Sequence, residues 1–185
     1  MCCAGCCRRA ALPRDRTFIA GQQDGALRAT VKGITQWTRC AMTAPGQVSL
    51  RKGRHSLTGH YYHVTMVTSH RSAIFLDYRY ARAACRAFGE EAVCRHGATQ
   101  SFVVMPDHVH WLLRLDGDLS QAVRLYKAKV SIAVGQSVWD DGFHDHALRA
   151  EEDIRKVARY IVANPIRAGL VDNIGQYPYW DAVWL

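Results

Sequence analysis

Nothing in the 185-residue sequence approaches the roughly 20 consecutive apolar residues that a bilayer-spanning helix requires. The N-terminus also lacks the apolar core of a secretion signal, so a cytoplasmic location is the default expectation. There is no glycine-rich loop of the G-x-x-x-x-G-K-[ST] kind, which leaves nucleotide-driven chemistry without its usual phosphate cradle. Cysteines are present but unorganised. Four of the seven are Cys2, Cys3, Cys6 and Cys7, while Cys40, Cys85 and Cys94 stand alone. Cys3 and Cys6 form a C-x-x-C with no second ligand pair at zinc-finger spacing. An odd count in a chain without an export signal argues for free thiols rather than a disulfide framework.

Acidic residues are scarce in the first half. Residues 1–50 hold seven Arg and Lys against two acids, residues 51–100 eight against three, and residues 101–185 nine against eleven. The formal charge of +8 is therefore +5, +5 and −2 along the chain. A basic half joined to a slightly acidic one suits a polyanion held against a metal site, and an ordinary solvated basic surface fits the charge equally. At 49% hydrophobic and 22% charged residues, the composition is that of a globular domain.

Residues 1–49 show no sustained periodicity and read as an extension, disordered or mis-assigned at its start, with Met42 just ahead of recognisable structure. The main domain is expected over residues 50–170, followed by an aromatic tail over residues 171–185. Arg51, Lys52 and Arg54 form a basic cluster leading into a strand, Tyr61 to Thr68, rich in β-branched and aromatic residues. Asp77 can cap a helix running to about His96, stopped by Gly97. Gln100 to Met105 reads as a second strand, and Pro106-Asp107 as the tight turn into a third, antiparallel to it. Ser120 opens a helix through Val134, in which Arg124 and Lys127 either reach phosphates or form a solvated face. Val138 to Leu148 reads as extended. A last strong helix runs from Glu151 to Ala163, with acids at its positive end and Pro165 closing it. The tail, Tyr177 to Leu185, either stacks on unpaired bases or packs back on the domain; the second is favoured.

The third strand carries the chemistry. Side chains at i and i+2 share a face, so His108 and His110 project together with Leu112 and Arg114, opposite Val109, Trp111, Leu113 and Leu115. Two such imidazoles can each offer a ring nitrogen to one divalent cation. Nine histidines in this length give about 0.4 His-x-His triplets by chance, and His144-Asp145-His146 is a second, so the pair needs a partner elsewhere. The last helix offers one. Ile154, Val157, Ala158, Ile161 and Val162 form its apolar stripe, and at about 100° per residue Tyr160 lies roughly 130° from the stripe's centre. Lys156 and Asn164 share its side. The spacing permits a nucleophile and a metal ligand on adjacent turns.

With these residues assembled, the chain resembles the REP-associated tyrosine transposases, a family of single-tyrosine HUH transposases. The matching stretches are Gly53-Arg54-His55-Ser56, Tyr62-His63-Val64-Thr65, Met105-Pro106-Asp107-His108-Val109-His110-Trp111, Gly142-Phe143-His144-Asp145-His146-Ala147 and Tyr160-Ile161-Val162-Ala163-Asn164-Pro165. They cover about residues 50–185 and occur in order. The resemblance implies an α+β fold, a ferredoxin-like antiparallel sheet with helices packed on one face and the histidines on a central strand. It implies His108 and His110 as ligands of Mg²⁺ or Mn²⁺, Tyr160 as nucleophile, and Asn164 where related transposases place a glutamine as third ligand. The charged centre of His144-Asp145-His146 breaks the HUH pattern, so that triplet reads as structural or DNA-contacting. The implied reaction is cleavage and rejoining of single-stranded DNA beside a REP hairpin through a 5′-phosphotyrosine, with Arg51, Lys52, Arg54, Arg124 and Lys127 on the phosphates. A monomer or homodimer associated with the nucleoid, with no other protein partner and no membrane, completes the expectation. The alternatives are a non-catalytic hairpin-binding protein, a nuclease that uses water, and a structural protein with satisfied core histidines.

Overall fold

The computed structural model describes residues 56–149 and 153–184. Five strands form one antiparallel sheet: β1 (Tyr61–Val67), β2 (Gly97–Val104), β3 (His108–Leu115), β4 (His144–Ala147) and β5 (Trp180–Ala182). Their order is β4-β1-β3-β2-β5. Without β5 this is the ferredoxin-like arrangement, and β3 is its central strand, hydrogen-bonded to β1 on one side and β2 on the other. No helix among the described residues is long and apolar enough to cross a membrane.

One face of the sheet is covered by α1 (Tyr78–Ala87), the short α2 (Glu91–Cys94) and α3 (Leu119–Val134). Val64, Met66, Phe102, Val109, Trp111, Leu113 and Leu115 pack there against Ala84, Ala122, Val123 and Tyr126. Aromatic rings concentrate at the centre of this layer. Phe88 stacks on Phe102 and on Tyr126 at centroid separations of 4.2 and 4.3 Å, and Trp111 lies 5.7 Å from Tyr126. The buried polar tips are satisfied, Trp111 Nε1 donating to Thr99 Oγ1 at 3.1 Å and Tyr126 Oη to the Ala84 carbonyl at 3.2 Å. Truncating Trp111 to alanine would cost about 3–5 kcal/mol by cavity formation. That side chain, flanked by His110 and Leu112 in the chain, locks the histidine strand in place from beneath.

The opposite face carries a smaller apolar layer. Val103, Met105 and Leu112 meet Ala158 and Ile161 of α4 (Ile154–Val162) there, with Tyr177 and Trp180 at the margin. The expected stripe is the one that packs, with Ala158, Ile161 and Val162 buried and Ile154 and Val157 partly so. Asp153 caps this helix, its carboxylate accepting from the backbone N–H of Arg155 and Lys156. The sheet thus has the expected helical layer on one face and, beside it, one further helix on the other.

Several boundaries differ from expectation for local reasons. The helix capped by Asp77 breaks at Phe88-Gly89-Glu90 into α1 and α2 rather than running to His96. β2 starts at Gly97, where a side chain would meet the Arg114 carbonyl oxygen at 2.7 Å, so only glycine lets the two strands approach. The extended segment after Val138 pairs with β1 as β4 only over its last third. Pro165 follows the end of α4 and sits in the first turn of a one-turn α5 (Asn164–Arg167). The aromatic tail packs back: β5 adds to the edge of β2, and Tyr177 Oη donates to the Val104 carbonyl at 2.7 Å.

Candidate active site

His108 and His110 lie on the face of β3 that α4 partly covers, as the alternation requires. Thr65 of β1 and Val103 of β2 are the cross-strand neighbours of His110. The two imidazole centroids are 4.8 Å apart and the rings nearly perpendicular. Each ring is held through Nδ1. His108 Nδ1 lies 2.6 Å from Asp107 Oδ1, while His110 Nδ1 lies 3.0 Å from Thr65 Oγ1 and 3.1 Å from His63 Nε2. No hydrogen bond to Nε2 of either ring is made by the described residues.

Asp107 is itself anchored. Arg71 donates to its second carboxylate oxygen at 3.2 Å, and its carbonyl is reached by the Thr68 backbone N–H and hydroxyl at 3.0 and 2.8 Å. Arg71 arrives from a turn in which His70 and Arg71 both adopt positive φ, 53° and 52°, a conformation non-glycine residues hold only under constraint. Burial works to raise the Asp107 pKa, but hydrogen bonds and charges from His108 and Arg71 prevail and hold it below the usual carboxylate value. Burial first, then the neighbouring His108 and His63, pushes the His110 pKa well down. His63 falls to about 4, by burial and then by the proximity of His146. At neutral pH His63 and His110 are therefore uncharged, the form of imidazole that binds cations.

Tyr160 belongs to α4, the helix packed on this face, and lies outside its buried stripe, 48% exposed. The Arg167 guanidinium of α5 lies over its ring, 4.1 Å from the centroid. Asn164 sits half-buried at the junction, its amide nitrogen donating to the carbonyls of Tyr160 at 3.2 Å and Ile161 at 2.9 Å. That leaves the amide oxygen as the donor it can offer to a ligand. Among the described residues no three His, Cys, Asp or Glu side chains converge into a cage. The donors that His108, His110 and Asn164 carry are two imidazole nitrogens and one amide oxygen, groups whose chemistry admits a divalent cation.

The remaining expected site residues divide. Arg51, Lys52 and Arg54 lie outside the described residues. Arg124 and Lys127 belong to α3, on the layer opposite the histidines. Arg124 is bound to Gln121 at 2.7 and 3.0 Å. Lys127 donates to the carbonyls of Asp140 and Gly142 and lies over the Trp139 ring, a structural use of its charge. His144 and His146 are opposite Thr65 and His63, so the second His-x-His extends the imidazole row onto the edge strand. His63, Thr65 and Asp107 fall within the matching stretches but carry no assigned role in the sequence, and Arg71 and Arg167 lie outside them. Asp107 was legible as the carboxylate next to His108; His63 and Thr65 required the register of β1 on β3.

A family model for IS200-like transposases matches residues 56–164. The REP-associated tyrosine transposase of Escherichia coli (strain K12) is 32% identical over 83 residues, covering 43% of this chain and 50% of its own. The chain spans about half the length of the curated relatives it matches. A solved structure of a REP-associated tyrosine transposase bound to a REP hairpin superposes with a TM-score of 0.57 at 27% identity, covering 69% of this chain and 79% of that one. The match spans the histidine strand, both of its neighbours and Tyr160, and by it the chain belongs to the family of IS200-like transposases.

Proposed function

We propose that this transposase cuts and rejoins single-stranded DNA beside a REP-type hairpin by transesterification, with Tyr160 as the nucleophile. The observation that carries the reading is the histidine pair on the central strand, with both Nδ1 atoms held by protein groups and both Nε2 atoms left for a ligand. His108 and His110 would hold Mg²⁺ or Mn²⁺, with the Asn164 amide oxygen as a further donor. Bound there, the cation would withdraw charge from the phosphoryl oxygens.

The chain's own residues supply the rest. The Tyr160 hydroxyl loses its proton and its oxygen bonds to phosphorus as the bond to the 3′ oxygen breaks. The 3′ oxygen takes up a proton and leaves as a free hydroxyl, with the 5′ phosphate now on Tyr160. Attack by a 3′-hydroxyl on that phosphotyrosine reverses the step and joins strands, so phosphodiester energy is retained and no nucleotide is consumed. Arg167, over the Tyr160 ring, orients the phenol. The REP-bound relative supports the hairpin as substrate. Arg51, Lys52 and Arg54, just ahead of β1, would follow its backbone, and Arg124 would reach only phosphates remote from the scissile bond.

The test is cleavage of a labelled single-stranded REP hairpin with Mg²⁺ or Mn²⁺, wild type against Tyr160→Phe, resolved on a denaturing protein gel. A covalent protein–DNA band in wild type and none in the variant is expected. Cleavage by both proteins without an adduct would mean a water-using nuclease, and tight binding without cleavage a hairpin-binding protein.

A further inference from the structure

His110 has two protein partners on one ring nitrogen, Thr65 Oγ1 and His63 Nε2, which leaves open where its proton sits. We propose that His63 and Thr65 are positioning residues for His110, jointly accepting its Nδ1 proton so that Nε2 is the nitrogen offered to the divalent cation. The proposal rests on the reading that His108 and His110 hold that cation.

A neutral imidazole carries one N–H, and a cation takes the other nitrogen. If the proton of His110 sat on Nε2, the lone pair needed there would be lost. The register of β1 on β3 sets Thr65 directly across from His110 and His63 diagonal to it, both on the histidine face. Their polar atoms reach the same Nδ1 at 3.0 and 3.1 Å, and the His63 ring is tilted 45° to that of His110 with centroids 5.1 Å apart. For His63 Nε2 to accept, His63 must carry its own proton on Nδ1. The two rings' tautomers are therefore coupled, and the Thr65 hydroxyl oxygen offers a second acceptor to the same proton.

The two ligands are held differently. His108 leans on a carboxylate, a charge-assisted partner. His110 leans on an imidazole and a hydroxyl, which set orientation and tautomer without adding negative charge beside the phosphate. A site that must admit a polyanion gains from keeping one of its two supports uncharged.

The experiment uses the full chain. Two-bond ¹⁵N–¹H correlation spectra of the imidazoles, without and with Mg²⁺, are expected to show His110 protonated on Nδ1 in the loaded protein and His63 likewise. Mn²⁺ affinity, read from the free-ion electron paramagnetic resonance signal, is expected to fall about tenfold or more in His63→Phe/Thr65→Val. His63→Gln, which keeps an acceptor, should stay within about threefold of wild type. Metal-free hairpin binding and the thermal midpoint in chelator report whether each variant is folded. Mn²⁺ affinity unchanged in the double variant would overturn the proposal. So would Mn²⁺ broadening His63 as strongly as His110 with His63→Gln as weak as the double variant, which would make His63 a ligand. If the double variant does not fold, a wild-type His110 protonated on Nε2 with Mg²⁺ present overturns it alone. Wild-type Mn²⁺ affinity in both His108→Ala and His110→Ala would instead defeat the cation reading itself.

Discussion

The Arg167 guanidinium lies 4.1 Å from the centroid of the Tyr160 ring, on a separate one-turn helix beyond the end of the one that carries the tyrosine. A cation over an aromatic face at an exposed position is worth about 0.5–1 kcal/mol, a factor of roughly two to five in a population. Arg167→Ala is therefore expected to slow covalent adduct formation in single-turnover assays by about two- to fivefold. Arg167→Lys should recover part of that loss, since an ammonium also pairs with the ring but lacks the planar stack. Unchanged adduct rates in Arg167→Ala would remove Arg167 from the active site.

Asn164 offers a sharper division, because its two amide atoms do different things. Its nitrogen donates to the last carbonyls of α4, and only its oxygen is left for a cation. Asn164→Asp keeps an oxygen donor and loses the nitrogen, so it should bind Mn²⁺ at least as well as wild type. It should also lower stability by about 0.5–1.5 kcal/mol for each of the two hydrogen bonds lost. Asn164→Ala loses both and should weaken Mn²⁺ binding as well. Equal Mn²⁺ affinities in the aspartate and alanine variants would leave Asn164 as a helix cap and nothing more. Calorimetry on the two proteins separates these outcomes.

The layers of this site were unequally visible in the sequence. His108 and His110 were readable because alternation in a strand is a local rule, and Trp111 between the paired faces marked which side is core. Tyr160 was readable because the stripe through Ile154, Ala158 and Ile161 fixes where a helix's other side lies. His63 and Thr65 were not, since a β1 residue acquires its neighbours only through long-range pairing, and a one-residue slip would turn both into the core. Arg167 was hidden by Pro165, which signals an end to the helix and says nothing of the turn that follows. The partition of the basic residues was equally unavailable. Arg124 and Lys127 look like phosphate ligands in a helix read alone, and the fold sets that helix on the layer away from the histidines.

Asp107→Asn tests the support of His108, the other proposed ligand. The amide can still accept from His108 Nδ1–H, so the ring should keep its place, but the charge that strengthens the bond and pairs with Arg71 is gone. Mn²⁺ affinity is expected to drop about 10-fold, within the range for outer partners of metal-bound histidines, with hairpin affinity in chelator little changed. A variant that binds Mn²⁺ as wild type would show that strand geometry alone positions His108.

Stability should depend on pH through the same cluster, measured in chelator so that no cation competes. His63 is lowered to about 4 and His110 well below its ordinary value, mainly by burial, while both take up a proton near ~6.5 when the chain unfolds. Below that value the unfolded chain binds more protons than the folded one, so folding stability rises with pH across the window. The native state is expected to hold its full stability above about pH 6.5 and to lose it progressively as the pH falls toward 4. His63→Gln removes one of the two titrating groups and should flatten that loss, its thermal midpoint falling less between pH 7 and 5 than that of wild type. Parallel curves for the two proteins would show that His63 is not held neutral by the fold.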